Sequence, residues 1–262
     1  MIQNRVKTAI EQGKVVVGIM VSELRTTTLG PMLEAAGLHF VILDMEHGSY
    51  DHQTMADIIA GCRGLAIAPF VRVPEIRREC FLKPLEAGAI GLLVPRVETR
   101  EQAELCVVYS KYAPEGDRGL SLCRAHTDYT PVKTGEYTAH ANQNVMVMIQ
   151  IETARALKNV DSILATPGID VAFVGPVDLS LSLGIEADLG APVMQEALDK
   201  IIEAGRRHGV VVGIYANQPD MIKHFVGRGL RFIAGGSDVD VLINGCANSL
   251  ESFRKVLGDC VL

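Results

Sequence analysis

Leu38-His-Phe-Val-Ile-Leu-Asp-Met-Glu-His-Gly48 joins an apolar run directly to two acids and an imidazole. Residues 38–43 have the length and composition of a strand covered on both faces. Asp44, Glu46 and His47 emerge where that strand must stop. Charge on a buried strand is costly unless it is paired or bound to a ligand. The pattern recurs along the chain. Arg72 lies inside Ala68-Pro-Phe-Val-Arg-Val-Pro74, Glu152 follows Val145-Met-Val-Met-Ile-Gln-Ile151, and Asp178 follows Val171-Ala-Phe-Val-Gly-Pro-Val177. Charged groups at the downstream ends of several buried strands read as an active-site face.

Working outward, strand-like runs occupy 15–21, 38–43, 66–73, 89–95, 145–151, 169–175, 210–215 and 229–234. Helical spacing fills 54–62, 77–87, 100–112, 154–165, 193–208, 218–227 and 239–257. Gly88, Gly168, Gly209 and Gly229 punctuate helix exits, where a positive φ is often needed. Eight strands alternating with helices, without a break in composition, predict one α/β domain over 1–262, a (β/α)₈ barrel. A doubly wound open sheet is the alternative, but it normally shows a Gly-rich first turn. Here the first strand is followed by Ser22-Glu-Leu-Arg-Thr-Thr-Thr28. The longest irregular stretch, 114–144, carries Arg118, Arg124 and His126. Long loops in compact domains are commonly functional, so part of it is expected over the active face.

The 262 residues and 48% hydrophobic composition allow a substantial core. A net charge of −6 argues against nucleic-acid or anionic-membrane partners, which call for a basic surface. Cys62, Cys80, Cys106, Cys123, Cys246 and Cys260 form no C-x-x-C pair and read as thiols in a reducing cytosol. The N-terminal segment reads as the start of an amphipathic helix, not a signal peptide. No apolar run approaches the roughly 20 residues of a membrane span. The expected location is cytoplasmic.

Glu152 and Asp178 fall at neighbouring strand ends. Two carboxylates can hold Mg²⁺ or Mn²⁺ and leave positions open for water and a chelating substrate. Structural readings stand beside this one: Glu152 complementing the next helix N-terminus, and Asp178 capping a short helix. Gln150 and Gly175-Pro176 add polar and close-approach backbone features. Asp44 and Glu46 beside His47 can orient the imidazole or bind metal-coordinated water. Arg72 reads either as a buried ion-pair partner, of Glu86, or as a fork for a carboxylate or developing enolate. Gly235-Gly236-Ser237 either cradles phosphate or makes a tight turn into the last helix. Arg25, after strand one, and Arg124, in the long loop, are candidates to recognise an acidic or polyhydroxylated distal group on a substrate, within one chain or across a subunit boundary. Either could also be a solvated surface residue.

Five blocks in order resemble the HpcH/HpaI aldolases: Asp44–His47 as D-x-E-H, Arg72, Lys111-Tyr-Ala-Pro-Glu-Gly-Asp-Arg-Gly119, Gln150-Ile-Glu-Thr153 and Gly175-Pro-Val-Asp-Leu-Ser180. This family includes the 4-hydroxy-2-oxoheptanedioate and 2-dehydro-3-deoxyglucarate aldolases, and the resemblance covers nearly the whole chain. It implies a metal-dependent barrel, commonly a homohexamer whose subunits exchange the C-terminal helix. By position it makes Glu152 and Asp178 the ligands of Mg²⁺, Mn²⁺ or Co²⁺, His47 the base and Arg72 the enolate-stabilising arginine. Gln150 and the backbone of Gly175, Pro176 and Val177 match the pyruvyl-binding region. Glu86 stands where the family usually pairs an aspartate with the histidine. The sequence departs from the family pattern at Glu23-Leu24-Arg25 and in a shorter stretch after Gly119, with Leu122-Cys123.

The expected activity is reversible aldol cleavage of a 4-hydroxy-2-oxo acid to pyruvate, or a related 2-oxo acid, and an aldehyde. A Schiff-base aldolase needs a lysine inside the barrel. Lys14, Lys83, Lys111, Lys133, Lys158, Lys200, Lys223 and Lys255 all read as loop or helix positions. Two further alternatives are another metal-enolate lyase, such as an acyl-CoA lyase or decarboxylase, and a noncatalytic 2-oxo-acid-binding barrel.

Overall fold

The computed structural model describes residues 3–186 and 188–258. Cys260 lies outside them, and the other five cysteines are free thiols. Eight parallel strands close into a barrel in chain order: β1 (Val16–Val21), β2 (Phe40–Asp44), β3 (Ala68–Arg72), β4 (Gly91–Val94), β5 (Met146–Ile151), β6 (Val171–Val174), β7 (Val211–Tyr215) and β8 (Phe232–Ser237). All eight expected strands form. The least accurate was the last, which begins three residues late because Gly229 takes a positive φ of 107° before the strand starts.

The helices are α1 (Arg5–Glu11), α2 (Leu29–Ala35), α3 (His52–Gly61), α4 (Arg78–Ala87), α5 (Arg100–Ser110), α6 (Thr134–Asn144), α7 (Ala154–Leu164), α8 (Pro176–Ser182), α9 (Pro192–His208), α10 (Pro219–Gly227) and α11 (Asp238–Leu257). Two of them escape the apolar pattern. In α2, Gly30 and Pro31 read as breakers, and only Leu29 and Gly30 are buried. In α6 the buried residues are Tyr137, Ala141 and Asn142, too few for an apolar stripe. Polar contacts hold α6 instead. The Asn142 amide bonds both backbone groups of Tyr112, and Lys111 Nζ donates to the Asn142 and Val145 carbonyls.

Strand alternation divides the core. One set of buried side chains packs between barrel and helices, and a second fills the barrel, including Phe40, Phe70, Phe173 and Phe232. Val6 and Ile10 of α1 join the inner set and close its floor. Phe40 and Phe232 stack at 4.1 Å, and Phe173 meets Phe232 edge-on at 6.1 Å. These rings have room because glycines lie opposite them. Gly18 pairs in register with Phe40, and Gly213 with Phe232. Residues two apart on a strand share a face, so Asp44, Arg72, Gln150 and Tyr215 lie one step above this apolar floor, in the barrel mouth.

The segment between α5 and β5 corrects one expectation. It leaves a helix C-terminus and re-enters at a strand N-terminus, so it packs at the end of the barrel opposite the mouth. Its contacts agree: Arg63 pairs with Asp128 at 3.3 Å, and His126 Nδ1 meets the Glu86 carbonyl at 3.2 Å.

α11 is the outlier among the helices. Its 20 residues span about 30 Å, yet Asp238 is its single buried residue. Val239, Leu242, Ile243, Leu250, Phe253 and Leu257 are exposed at helical spacing. No helix among the described residues is long and apolar enough to cross a membrane.

Gly18→Ala tests the packing of the barrel interior. The new Cβ would lie 2.3 Å from both a ring carbon and the carbonyl oxygen of Phe40. Overpacking of this kind costs about 1–3 kcal/mol, to be read from chemical denaturation. Gly135→Ala, with nothing within 4 Å, serves as a control and should unfold at an almost unchanged midpoint. Equal stability in the two variants would refute the packing account.

Candidate active site

Asp44 ends β2, Arg72 ends β3, and the two are partners in register. Both are buried. Arg72 Nε donates to Asp44 Oδ1 at 2.9 Å and Nη2 to Asp44 Oδ2 at 2.6 Å, a two-pronged contact. Asp44 Oδ1 also accepts the backbone N–H groups of Glu46 and His47 at 3.0 and 3.2 Å. The Asp44–His47 loop is thereby folded back onto the strand end. The third guanidinium nitrogen, Nη1, lies 3.2 Å from Glu46 Oε2, and His47 Nε2 lies 3.9 Å from the same oxygen. Arg72 is therefore a buried ion-pair partner of Asp44 and Glu46, not of Glu86, and it also lines the mouth cavity.

The electrostatics follow from this packing. Burial alone would raise the Asp44 carboxyl, but the hydrogen bonds and charge of Arg72 and two backbone donors hold it below the ordinary aspartate value. Glu46 is raised, mainly by burial, with Arg72 and His47 opposing. Glu152 is pushed up to about 7, first by burial and then by Glu46 and Asp178.

Glu152 follows β5 and is buried. Its Oε1 accepts the Arg96 N–H at 2.7 Å, and its Oε2 the Gln150 amide at 2.6 Å. Its neighbour Thr153, not Glu152, caps α7. Arg96 has a φ of 54°. Such strained backbone often marks functional sites. Asp178 stands in the first turn of α8 and is exposed toward the cavity, while Gly175 takes the N-cap position without a side-chain cap. A Cβ on Gly175 would come within 2.6 Å of Glu152 Oε2, so glycine is what permits this close approach.

These residues surround a cavity of about 310 Å³, lined by Ser22, Asp44, His47, Arg72, Gln150, Gly175, Pro176, Val177, Asp178, Tyr215 and Ser237, with Met20 and Phe173 as its apolar floor. No lysine lines it. Lys111 is buried, and desolvation brings it down to about 8, but it sits beneath β5 at the far end of the barrel. The site therefore lacks a Schiff-base lysine among the described residues.

The chemistry of the carboxylates bears on a metal. Among the described residues no three His, Cys, Asp or Glu side chains form a closed metal cage. Glu152 and Asp178 instead make an open pair, with Glu46 close enough to raise Glu152 further. Crowded carboxylates beside amide and backbone groups suit a hard divalent cation that keeps positions open for water and substrate.

Two expected participants do not join the site within this chain. Glu86 is in the last turn of α4, where its carbonyl meets His126, so it stands apart from the His47 of its own chain. Arg124 is exposed in the far-end segment, where its Nε bonds Ser121 at 3.2 Å. Arg25 is exposed on the mouth side and bonds Ser49.

Sequence reasoning missed Asp238. Its carboxylate accepts the backbone N–H groups of Ser22, Glu23 and Leu24 at 3.1, 2.9 and 2.8 Å, fixing the loop after β1 to the start of α11. The signal was the Ser237-Asp-Val-Asp240 capping box, in which Ser237 and Asp240 bond reciprocally at 3.1 Å. Gly235-Gly236-Ser237 is thus the exit into α11. Tyr215, also missed, donates to Asp240 Oδ2 at 2.7 Å.

Comparison with known proteins places this geometry among relatives. The HpcH/HpaI aldolase/citrate lyase family model matches residues 23–245. A 5-keto-4-deoxy-D-glucarate aldolase of Escherichia coli strain K12 is 34% identical over 252 residues, covering 96% of this chain and 97% of that protein. The crystal structure of an HpcH/HpaI aldolase from Desulfitobacterium hafniense DCB-2 superposes with a TM-score of 0.91 at 30% identity, covering 97% of each chain. The citrate synthase SbnG superposes with a TM-score of 0.85 at 27% identity, covering 95% of this chain and 97% of that one.

Asp44→Ala leaves Arg72 buried and short of its main counter-charge. Breaking a buried pair in this way costs about 3–5 kcal/mol, measurable as a fall in the denaturation midpoint at neutral pH. Because the folded-state pKa of Asp44 is depressed, its contribution is full above the unfolded pKa and is lost as pH falls through the folded one. The gap between wild type and variant should narrow on acidification through the carboxylate range. A gap independent of pH would argue against the ion pair as its source.

Proposed function

The chain belongs to the HpcH/HpaI aldolase/citrate lyase family, and from that premise we propose how it carries out divalent-metal-dependent, reversible aldol cleavage of a 4-hydroxy-2-oxo acid. It is a carbon–carbon lyase of the aldolase type. The products are pyruvate, or a related 2-oxo acid, and an aldehyde. The observation that carries this reading is the convergence of Asp178, Gln150, His47 and Arg72 around one cavity that no lysine lines, with the Glu152 carboxylate directly behind Gln150 and Gly175 in its wall.

Glu152 and Asp178 would hold Mg²⁺, Mn²⁺ or Co²⁺, which when bound supplies Lewis-acid polarisation of the 2-oxo group. Gln150 and the backbone of Gly175, Pro176 and Val177 position the pyruvyl end. His47 takes the 4-hydroxyl proton as the C3–C4 bond breaks. The bond pair moves to C3 and delocalises onto the 2-oxo oxygen, and the aldehyde leaves. Arg72, already aligned by Asp44 and Glu46, places fixed positive charge near the developing enolate. Return of the proton held by His47 to C3 completes pyruvate and restores the imidazole. Asp44 and Glu46 act by holding His47 and Arg72 in place. Arg25, exposed on the mouth side, is our candidate for recognising a carboxylate or hydroxyls on the aldehyde. The name of the Escherichia coli relative, a 5-keto-4-deoxy-D-glucarate aldolase, supports a sugar-acid substrate class.

We further assign the exposed apolar stripe of α11 to exchange between subunits of a homohexamer in the cytoplasm. Five unpaired cysteines support a reducing compartment.

The deciding experiment is exchange of pyruvate's methyl protons with deuterated water, with and without Mg²⁺ or Mn²⁺. Exchange should require the cation, and borohydride should trap no adduct. Exchange in chelator, or a reduced lysine adduct, would remove the mechanism. Absence of exchange under all conditions would leave a binding barrel. For the assembly, Leu242→Glu combined with Phe253→Glu should reduce the mass measured by light scattering from that of a hexamer to that of smaller species. An unchanged mass would reject the exchange.

A further inference from the structure

The mouth cavity does not end at the catalytic groups. Pro176, Val177 and Tyr215 line it and also line a second cavity of about 160 Å³ beyond the ends of β6 and β7. Leu189, Ala216, Asn217 and Gln218 complete this side cleft. It has room for several water-sized groups, since one water holds roughly 30 Å³ in the liquid.

The polar side chains of the cleft are neutral. The Tyr215 hydroxyl donates to Asp240 Oδ2 at 2.7 Å. An ionised carboxylate only accepts, so the phenol proton is committed there and the oxygen offers lone pairs alone. Gln218 holds the N-cap position of α10 without a side-chain cap bond, so its own helix does not consume its amide. The Asn217 and Gln218 amides each provide donors and an acceptor. Hydroxyls, which both donate and accept, match this set. Carboxylates do not. No basic residue lines the cleft, and the charged residues within two positions of its lining are the acids Asp178, Asp188 and Asp220.

The place of the cleft in the barrel decides which part of a substrate enters it. The strands close in chain order, so β6 lies opposite β2, whose exit loop carries His47. The aldehyde half, whose oxygen His47 serves, is therefore on the β2 side. The pyruvyl end rests on the backbone of Gly175, Pro176 and Val177, and the cleft begins at the last two of these. In a 2-oxo acid, C1 and C2 have no valence left for a substituent. Only C3 can carry a group into the cleft.

We propose that the cleft between β6 and β7 is a specificity subsite for a short, neutral, hydroxylated substituent on C3 of the 2-oxo acid, read by Tyr215, Asn217 and Gln218. This rests on the aldolase reading above and narrows its 2-oxo acid to one larger than pyruvate. The substrates cleaved best are then 4-hydroxy-2-oxo acids that bear such a group at C3. Arg25 keeps its separate role toward the aldehyde.

Exchange of C3 hydrogens with deuterated water in Mg²⁺, followed by NMR, tests the subsite without any aldehyde. Hydroxypyruvate and 2-oxobutanoate are the probes, because they differ only by hydroxyl against methyl on C3. Each is measured on wild type, on the double variant Asn217→Ala with Gln218→Ala, and on Tyr215→Phe. The ratio of kcat/KM for hydroxypyruvate to that for 2-oxobutanoate should fall about 10-fold in the double variant, the worth of one or two neutral hydrogen bonds. It should fall in Tyr215→Phe as well. Pyruvate, which does not reach the cleft, should exchange in the double variant as in wild type. An unchanged ratio in both variants, or an equal loss for all three acids, would overturn the proposal. If wild type exchanges none of the acids, the reaction reading fails. Calorimetric titration of the same two probes in Mn²⁺ then decides the subsite. A hydroxypyruvate preference in Kd that the double variant loses supports it, and no preference refutes it.

Discussion

Asp44 and Arg72 sit side by side on adjacent strands, and the barrel mouth is organised by their two-pronged contact. Asp44 makes its two hydrogen bonds to Arg72 while also accepting the N–H groups of Glu46 and His47. One carboxylate therefore fixes both the guanidinium plane and the loop that presents the imidazole. Glu46 completes the array from the other side of Arg72. Because the pair is buried, neither charge can be withdrawn without leaving the other uncompensated. Such rigidity suits a group whose charge must already be in place when an enolate forms.

The pair depends in turn on what lies beneath it. Gly18, Gly91 and Gly213 open space for the phenylalanines and Met146 that fill the barrel, with neighbouring atoms inside 3.0 Å of where a Cβ would stand. That apolar floor ends at Met20 and Phe173. Above it the inward-facing positions become Asp44, Arg72, Gln150 and Tyr215, and water and substrate can reach them. Burial first, and then the charges of Glu46 and Asp178, push the Glu152 carboxyl up to about 7, an electrostatic tension that a bound cation would relieve.

The edge of the mouth is tied to α11 through Asp238, which holds the backbone of Ser22, Glu23 and Leu24. The Tyr50 hydroxyl donates to the Leu24 carbonyl at 2.8 Å and secures the same loop from another side. In the proposed assembly, a helix that leaves its own barrel is thus anchored at its first turn to a wall of its own site.

The sequence by itself determined the eight strands and the barrel, because a strand buried on both faces must be continuously apolar and its end is visible where charge begins. It also exposed Asp44, His47, Arg72, Glu152 and Asp178, each a costly residue immediately beside or within such a run. It could not reveal α6, whose stability comes from Asn142 and Lys111 bonding distant backbone, nor Asp238, whose partners lie more than two hundred residues away in the chain. Only the tertiary structure showed that Glu86 and Arg124 stand apart from the His47 of their own chain, and that Asp44 and Glu46, not the Glu86 of that chain, neutralise Arg72. The physical reason is that local pattern reports whether a side chain faces the core, whereas pairing between charges depends on the end of the barrel each reaches, which chain connectivity and closure alone decide.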